Sequence, residues 1–151
     1  MSFSLSAEEL KKYQPNRYPF LMIDRVTDVL PGKHAKGFKN LTNNEWYFPK
    51  HFDGHPNMPG ALQLEAMAQM LTVAITTLDG LEGKATHALE HTVRFKKEVV
   101  PGDRLDISAE LISWKRGIAI GEAICTVDNI EVSSANMKIT IPEILTSFLP
   151  K

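Results

Sequence analysis

The residues best equipped for chemistry lie together in His51-Phe-Asp-Gly-His-Pro-Asn-Met-Pro-Gly60, followed at once by Ala61-Leu-Gln-Leu-Glu65-Ala-Met-Ala-Gln69. Histidine is the side chain whose ordinary pKa readies it to accept a proton near neutrality. A carboxyl group in apolar surroundings can stay protonated and serve as a general acid. The pair suits elimination of water from a 3-hydroxyacyl group. A base takes the proton beside the carbonyl while an acid protonates the departing hydroxyl. Charge growing on the carbonyl oxygen then needs a donor, and the first free N–H groups of a helix beginning at Pro59-Gly60 supply one, aided by the helix dipole. Glu65 lies five residues beyond Gly60, about 7.5 Å along a helix rising about 1.5 Å per residue. That leaves room for a small acyl portion.

These residues need a scaffold. Pro59 is a helix-start signal, and the spacing predicts a helix from Pro59 to about Asp79, with Gly80 as its stop. Leu62, Leu64, Met67, Met70, Leu71, Val73, Ile75 and Leu78 fall on every face of it, the mark of a buried helix, so Glu65 sits where carboxylates are uncommon unless paired or used. Upstream, Ser6-Ala-Glu-Glu9 has capping-box spacing and starts a short helix to about Tyr13. Strands are expected at Val26–Leu30 and Ala35–Leu41 around Pro31-Gly32. Others follow at 85–99, Arg104–Lys115, Ile118–Val127 and 132–141, punctuated by Pro101-Gly102-Asp103, Arg116-Gly117 and Asp128-Asn129. Ala119, Gly121, Ala123 and Cys125 share one face of their strand and would admit the helix closely. The expectation is an α+β fold, a curved antiparallel sheet wrapped around one long apolar helix, with residues 1–151 as a single domain.

Composition limits the function classes. Hydrophobic residues make up 43% and charged residues 23%, and the formal net charge is −1. No bulk field draws such a chain to nucleic acid or a membrane surface. One cysteine, Cys125, excludes an internal disulfide and cysteine-rich metal sites, and its thiol is read as packed in a strand. His87 and His91 have the spacing of a metal pair only on a helix, and they lie in a strand run, so no metal is expected. No apolar run reaches the roughly 18 residues needed to span a bilayer. The first residues lack signal-peptide character, and a cytoplasmic location is expected.

The pattern of residues resembles the FabZ-type 3-hydroxyacyl-[acyl-carrier-protein] dehydratases, a hot-dog-fold family. The resemblance runs from Arg17-Tyr-Pro-Phe-Leu-Met-Ile-Asp-Arg25 through Lys39-Asn-Leu-Thr-Asn-Asn-Glu45 and the His51–Gln69 segment to Arg94-Phe-Lys-Lys-Glu-Val-Val-Pro-Gly-Asp103. It implies His51 as base, Glu65 as acid, the Gly60 N–H as donor to the thioester carbonyl and Gln69 as support for the carboxyl. It implies fatty-acid or related acyl-chain synthesis without metal or redox cofactor, on a 3-hydroxyacyl thioester borne by acyl carrier protein. It also implies a homodimer or a trimer of dimers in which one site draws its His and Glu from different subunits. Arg94, Lys96 and Lys97 become a docking patch for the acidic carrier, against the plainer reading of a solvated strand face. Glu at position 65 resembles the dehydratase branch and not the Asp-bearing dehydratase/isomerase branch.

Some positions depart from the family pattern. Asp53 stands where the family has Pro, Asn16 where it has His, and Trp46-Tyr47 where it has Pro-Phe. A carboxylate at Asp53 would favour the imidazolium form of a neighbouring histidine. It motivates an alternative, a carrier-binding paralogue without turnover. A second alternative is a hot-dog acyl-thioesterase, from the loose Gly-His-x-Asn likeness of Gly54-His55-Pro56-Asn57.

Overall fold

The computed structural model describes residues 1–151. Seven strands form one antiparallel sheet: β1 (Phe3–Leu5), β2 (Arg25–Leu30), β3 (His34–Asn40), β4 (His87–Phe95), β5 (Arg104–Lys115), β6 (Ile118–Val127) and β7 (Ile130–Thr140). Their order across the sheet is β1-β2-β3-β5-β6-β7-β4, so β4 pairs with β7 alone and leaves a free edge. Three helices join them: α1 (Ala7–Leu10), α2 (Gly60–Thr76) and α3 (Pro142–Leu145). Turn chemistry drives the long meander. Arg116-Gly117 and Asp128-Asn129 all take positive φ, as two-residue hairpin turns with matching twist require.

The sheet makes room for α2 with small side chains. Ala35, Ala109, Ala123, Ala135 and Val93 form one continuous cross-strand row. All four alanines are buried. Beside them, a Cβ on Gly121 would meet Leu71 Cδ1 at 2.6 Å and the Glu110 carbonyl oxygen at 2.7 Å. Met67, Met70, Leu71 and Ile75 fill this trough and are fully buried. Cys125 is part of the same wall, and burial pushes its thiol up to about 12.

The sequence expectations hold in outline and shift at the ends. Ser6 and Glu9 form the expected capping box at α1. α2 stops at Thr76, short of Asp79. Thr76 and Thr77 donate their hydroxyls back to the Thr72 and Val73 carbonyls, and the Gly32 N–H takes the Ala74 carbonyl. Burial of α2 is also less complete than its composition suggests. Ala61 is exposed, and Leu64, Glu65 and Ala68 are half-buried, a stripe at helical spacing. β4 covers only His87–Phe95 of the longer run, because the Lys96 and Lys97 N–H groups turn onto the Val132 carbonyl. β1 and α3 are unannounced in the sequence: β1 is too short to show alternation, and α3 is one turn begun by a proline.

Candidate active site

His51 follows a single 3-10 turn at Phe48–Lys50 and is half-buried. The loop after it closes on itself. The Asn57 N–H donates to the His51 carbonyl at 2.8 Å, and the ring Nδ1 lies 3.0 Å from the Asn57 carbonyl oxygen. A carbonyl only accepts, so Nδ1 carries the hydrogen and the neutral ring keeps Nε2 as its acceptor. Phe52 stacks on the imidazole with ring centroids 4.4 Å apart. Asp53 is exposed in the turn between Phe52 and His55 and makes no ion pair with His51. His55 is also exposed, and its Nε2 lies 3.1 Å from Glu98.

The chain then reaches α2 along a fixed path, with the Met58 N–H on the Val99 carbonyl at 2.7 Å. Pro59 is the cap residue and accepts from the Leu62 and Gln63 N–H groups. The Gly60 N–H has no acceptor in the chain, as expected for the first turn of a helix without a side-chain cap. Glycine is needed there by space: a Cβ would meet the Phe95 ring at 2.5–2.9 Å.

Glu65 sits on the half-open stripe of α2, one turn before Gln69. The Gln69 amide is buried and fully used. Its Nε2 donates to Glu65 Oε1 at 2.9 Å and to the Phe20 carbonyl at 2.6 Å, while its Oε1 accepts from the Met22 N–H at 2.8 Å. Glu65 enters no ion pair. One amide therefore ties the carboxyl to the strap at 20–22. The Arg17–Arg25 motif in the sequence gives no sign of that link, although the strap's polar backbone had to find partners beside an apolar helix.

Behind the strap is a second polar cluster. Lys39 Nζ donates to Glu45 at 3.0 Å, to Asp24 at 3.4 Å and to the Asn40 carbonyl at 2.9 Å. Burial pushes the Glu45 carboxyl up, but hydrogen bonds from Lys39 and Thr42 outweigh it and hold the group below its usual range. Trp46 and Tyr47 line a cavity of about 460 Å³ here, together with Arg17, Tyr18, Met22 and Lys39.

The three basic residues divide between two places. Lys96 and Lys97 border the groove that holds Gly60. Arg94 opens onto the outer face of the sheet beside Thr92 and Glu122, where Lys96 also pairs with Glu131.

Comparison with known proteins agrees with this architecture. The model of the FabA-like domain matches residues 14–136. A 3-hydroxyacyl-[acyl-carrier-protein] dehydratase FabZ of Clostridium botulinum (strain Eklund 17B) is 45% identical over 140 residues, covering 91% of this chain and 99% of the relative. The protein of the same name from Clostridium novyi is 42% identical over 126 residues, 83% of this chain and 89% of the relative. Among solved structures, the dehydratase heterocomplex ApeI:P from Xenorhabdus doucetiae superposes with a TM-score of 0.74 at 18% identity, over 94% of this chain and 97% of that one. The PaaI protein of Escherichia coli gives 0.58 at 16% identity over 74% and 78%. Both likenesses concern the fold, a curved sheet around a helix.

Proposed function

We propose that this chain, which belongs to the FabA-like family, dehydrates 3-hydroxyacyl-[acyl-carrier-protein] to the trans-2-enoyl thioester in fatty-acid biosynthesis. The thioester carbonyl accepts from the Gly60 N–H. His51 Nε2 removes a proton from the carbon beside that carbonyl, and the resulting enolate charge rests on the oxygen at the helix N-terminus. Glu65 delivers its proton to the 3-hydroxyl, which leaves as water while the carbon–carbon double bond forms. The cycle closes when the proton on His51 returns to Glu65 by way of solvent.

One observation carries this assignment of roles. Glu65 is a carboxyl on an apolar helix that no cation neutralises, and a neutral amide holds it in place. The amide fixes the direction of this half-buried carboxyl and leaves it free of any cation, which suits a group kept for proton delivery. The Nδ1 hydrogen bond to Asn57 complements it by leaving His51 Nε2 as acceptor.

Our reading also makes the protein a cytoplasmic homo-oligomer. The free edge of β4 and the half-open Ala61–Ala68 stripe of α2 support a dimer that completes each site with His51 from one subunit and Glu65 from the other. Lys96 and Lys97 flank the entry to Gly60 and suit an acidic carrier, with Arg94 extending the charge outward. The test is to supply 3-hydroxyacyl-carrier substrates over a range of chain lengths and follow enoyl formation. Folded protein without turnover at any length would overturn the proposal.

A further inference from the structure

The groove above the N-terminus of α2, about 430 Å³, is lined by a residue with a buried polar atom that the proposed chemistry does not use. Gln63 lines it and is only 4% exposed. Its Nε2 donates to the Met58 carbonyl at 3.2 Å. Its Oε1 is buried and has no partner. An amide oxygen left so costs free energy, and it is retained where something else supplies the hydrogen. Gln63 is three residues beyond Gly60, so the residue with the free N–H and the residue with the free amide oxygen lie on the same side of the helix one turn apart. The pair offers one donor and one acceptor in a single groove, with Lys96 and Lys97 at its rim.

A carrier-bound thioester has the complementary order of groups. Its carbonyl accepts, and a few bonds beyond the sulfur the carrier's pantetheine arm has a secondary amide N–H. We propose that Gln63 is a binding residue for that arm, its Oε1 accepting from the first amide N–H while the thioester carbonyl lies at Gly60. This deepens the dehydratase reading and rests on it for the position of the thioester.

The test compares two 3-hydroxyacyl substrates with the full-length protein: the N-acetylcysteamine thioester, which keeps the amide, and the S-propyl thioester, which lacks it. Gln63→Met should lower kcat/KM for the first about tenfold more than for the second, the usual effect of one lost buried hydrogen bond, because loss of the Nε2 bond to the Met58 carbonyl touches both substrates alike. Each substrate serves as the other's control for any general damage to the fold. Equal losses on both would overturn the proposal, and weaker self-association beside them would assign the oxygen to a subunit contact. So would no loss on either. Saturated acyl versions of the same thioesters, which cannot eliminate water, measure the contact as binding affinity. If wild-type protein prefers the amide-bearing ligand, Gln63→Met abolishes the preference and neither hydroxyacyl substrate turns over, the dehydratase reading fails and the arm contact stands. Absence of that preference in the wild type overturns the contact itself.

Discussion

Replacing Gln69 by leucine isolates the clamp between α2 and the strap. The leucine fills the same space and makes none of the three side-chain hydrogen bonds. The Met22 N–H suffers most, because Met22 is 1% exposed and no water replaces the lost acceptor. One orphaned donor of this kind costs about 1–3 kcal/mol. Loss of a donor to the half-buried Glu65 adds about 1 kcal/mol. Phe20 is 56% exposed, so its carbonyl turns to solvent at little cost. The apolar side chain offsets about 1 kcal/mol through its own burial. The net loss is about 1–3 kcal/mol, a fall in Tm of about 2–12 °C for a chain of this size. Activity should fall further than stability explains. An unclamped carboxyl is a poorly aimed acid, and a positioned acid contributes about 10²–10⁴ in rate, so kcat should drop about 10–100-fold at a temperature where the variant is fully folded. Urea unfolding gives the first quantity and enoyl formation the second. A stability change below about 0.5 kcal/mol, together with unchanged kcat, would refute the claim that this amide supports both strap and acid.

Three other outcomes are expected. Lys39→Met should cost about 1–3 kcal/mol at neutral pH, because it removes the cation from the largely buried Glu45 carboxylate, while the more exposed Asp24 keeps solvent and the Asn40 N–H. The Glu45 carboxyl is held below its ordinary 4.5 in the folded protein, so its contribution is complete above that value and disappears as pH falls. The gap between wild type and variant in urea unfolding should therefore narrow from pH 7 toward pH 3.5, and a gap that widens would contradict the pairing. Mixing inactive His51→Ala and Glu65→Gln proteins under exchange conditions should restore about a quarter of wild-type activity, since half of the dimers then hold one intact site; no recovery after proven exchange would place both groups of a site on one subunit. Cys125, buried with its thiol pushed up to about 12, should resist a thiol-specific reagent at neutral pH until the protein unfolds.

Much of the fold was legible in the residues because period and punctuation agreed. Leu105, Ile107 and Ala109 alternate with polar residues and are buried. The small face from Ala119 to Cys125 receives α2, and the two-residue turns fall where the sequence marks them. Element ends were less legible, since they depend on distant partners: the Gly32 N–H helps end α2, and the Val132 carbonyl turns the chain away from β4. The same holds at the site. The composition of the His51–Gln69 segment displays an imidazole, a glycine and a carboxyl. That Gln69 reaches Phe20 and Met22, that Phe95 covers Gly60, and that Gln63 keeps an idle oxygen are consequences of tertiary packing, which a linear pattern does not contain.

The most direct measurement follows trans-2-enoyl formation from one 3-hydroxyacyl-carrier substrate with wild-type protein, Glu65→Gln and His51→Ala, each shown to be folded. The account predicts turnover by the wild type and a loss of at least about 10²-fold in each variant. Wild-type turnover that survives in Glu65→Gln or in His51→Ala would contradict the account.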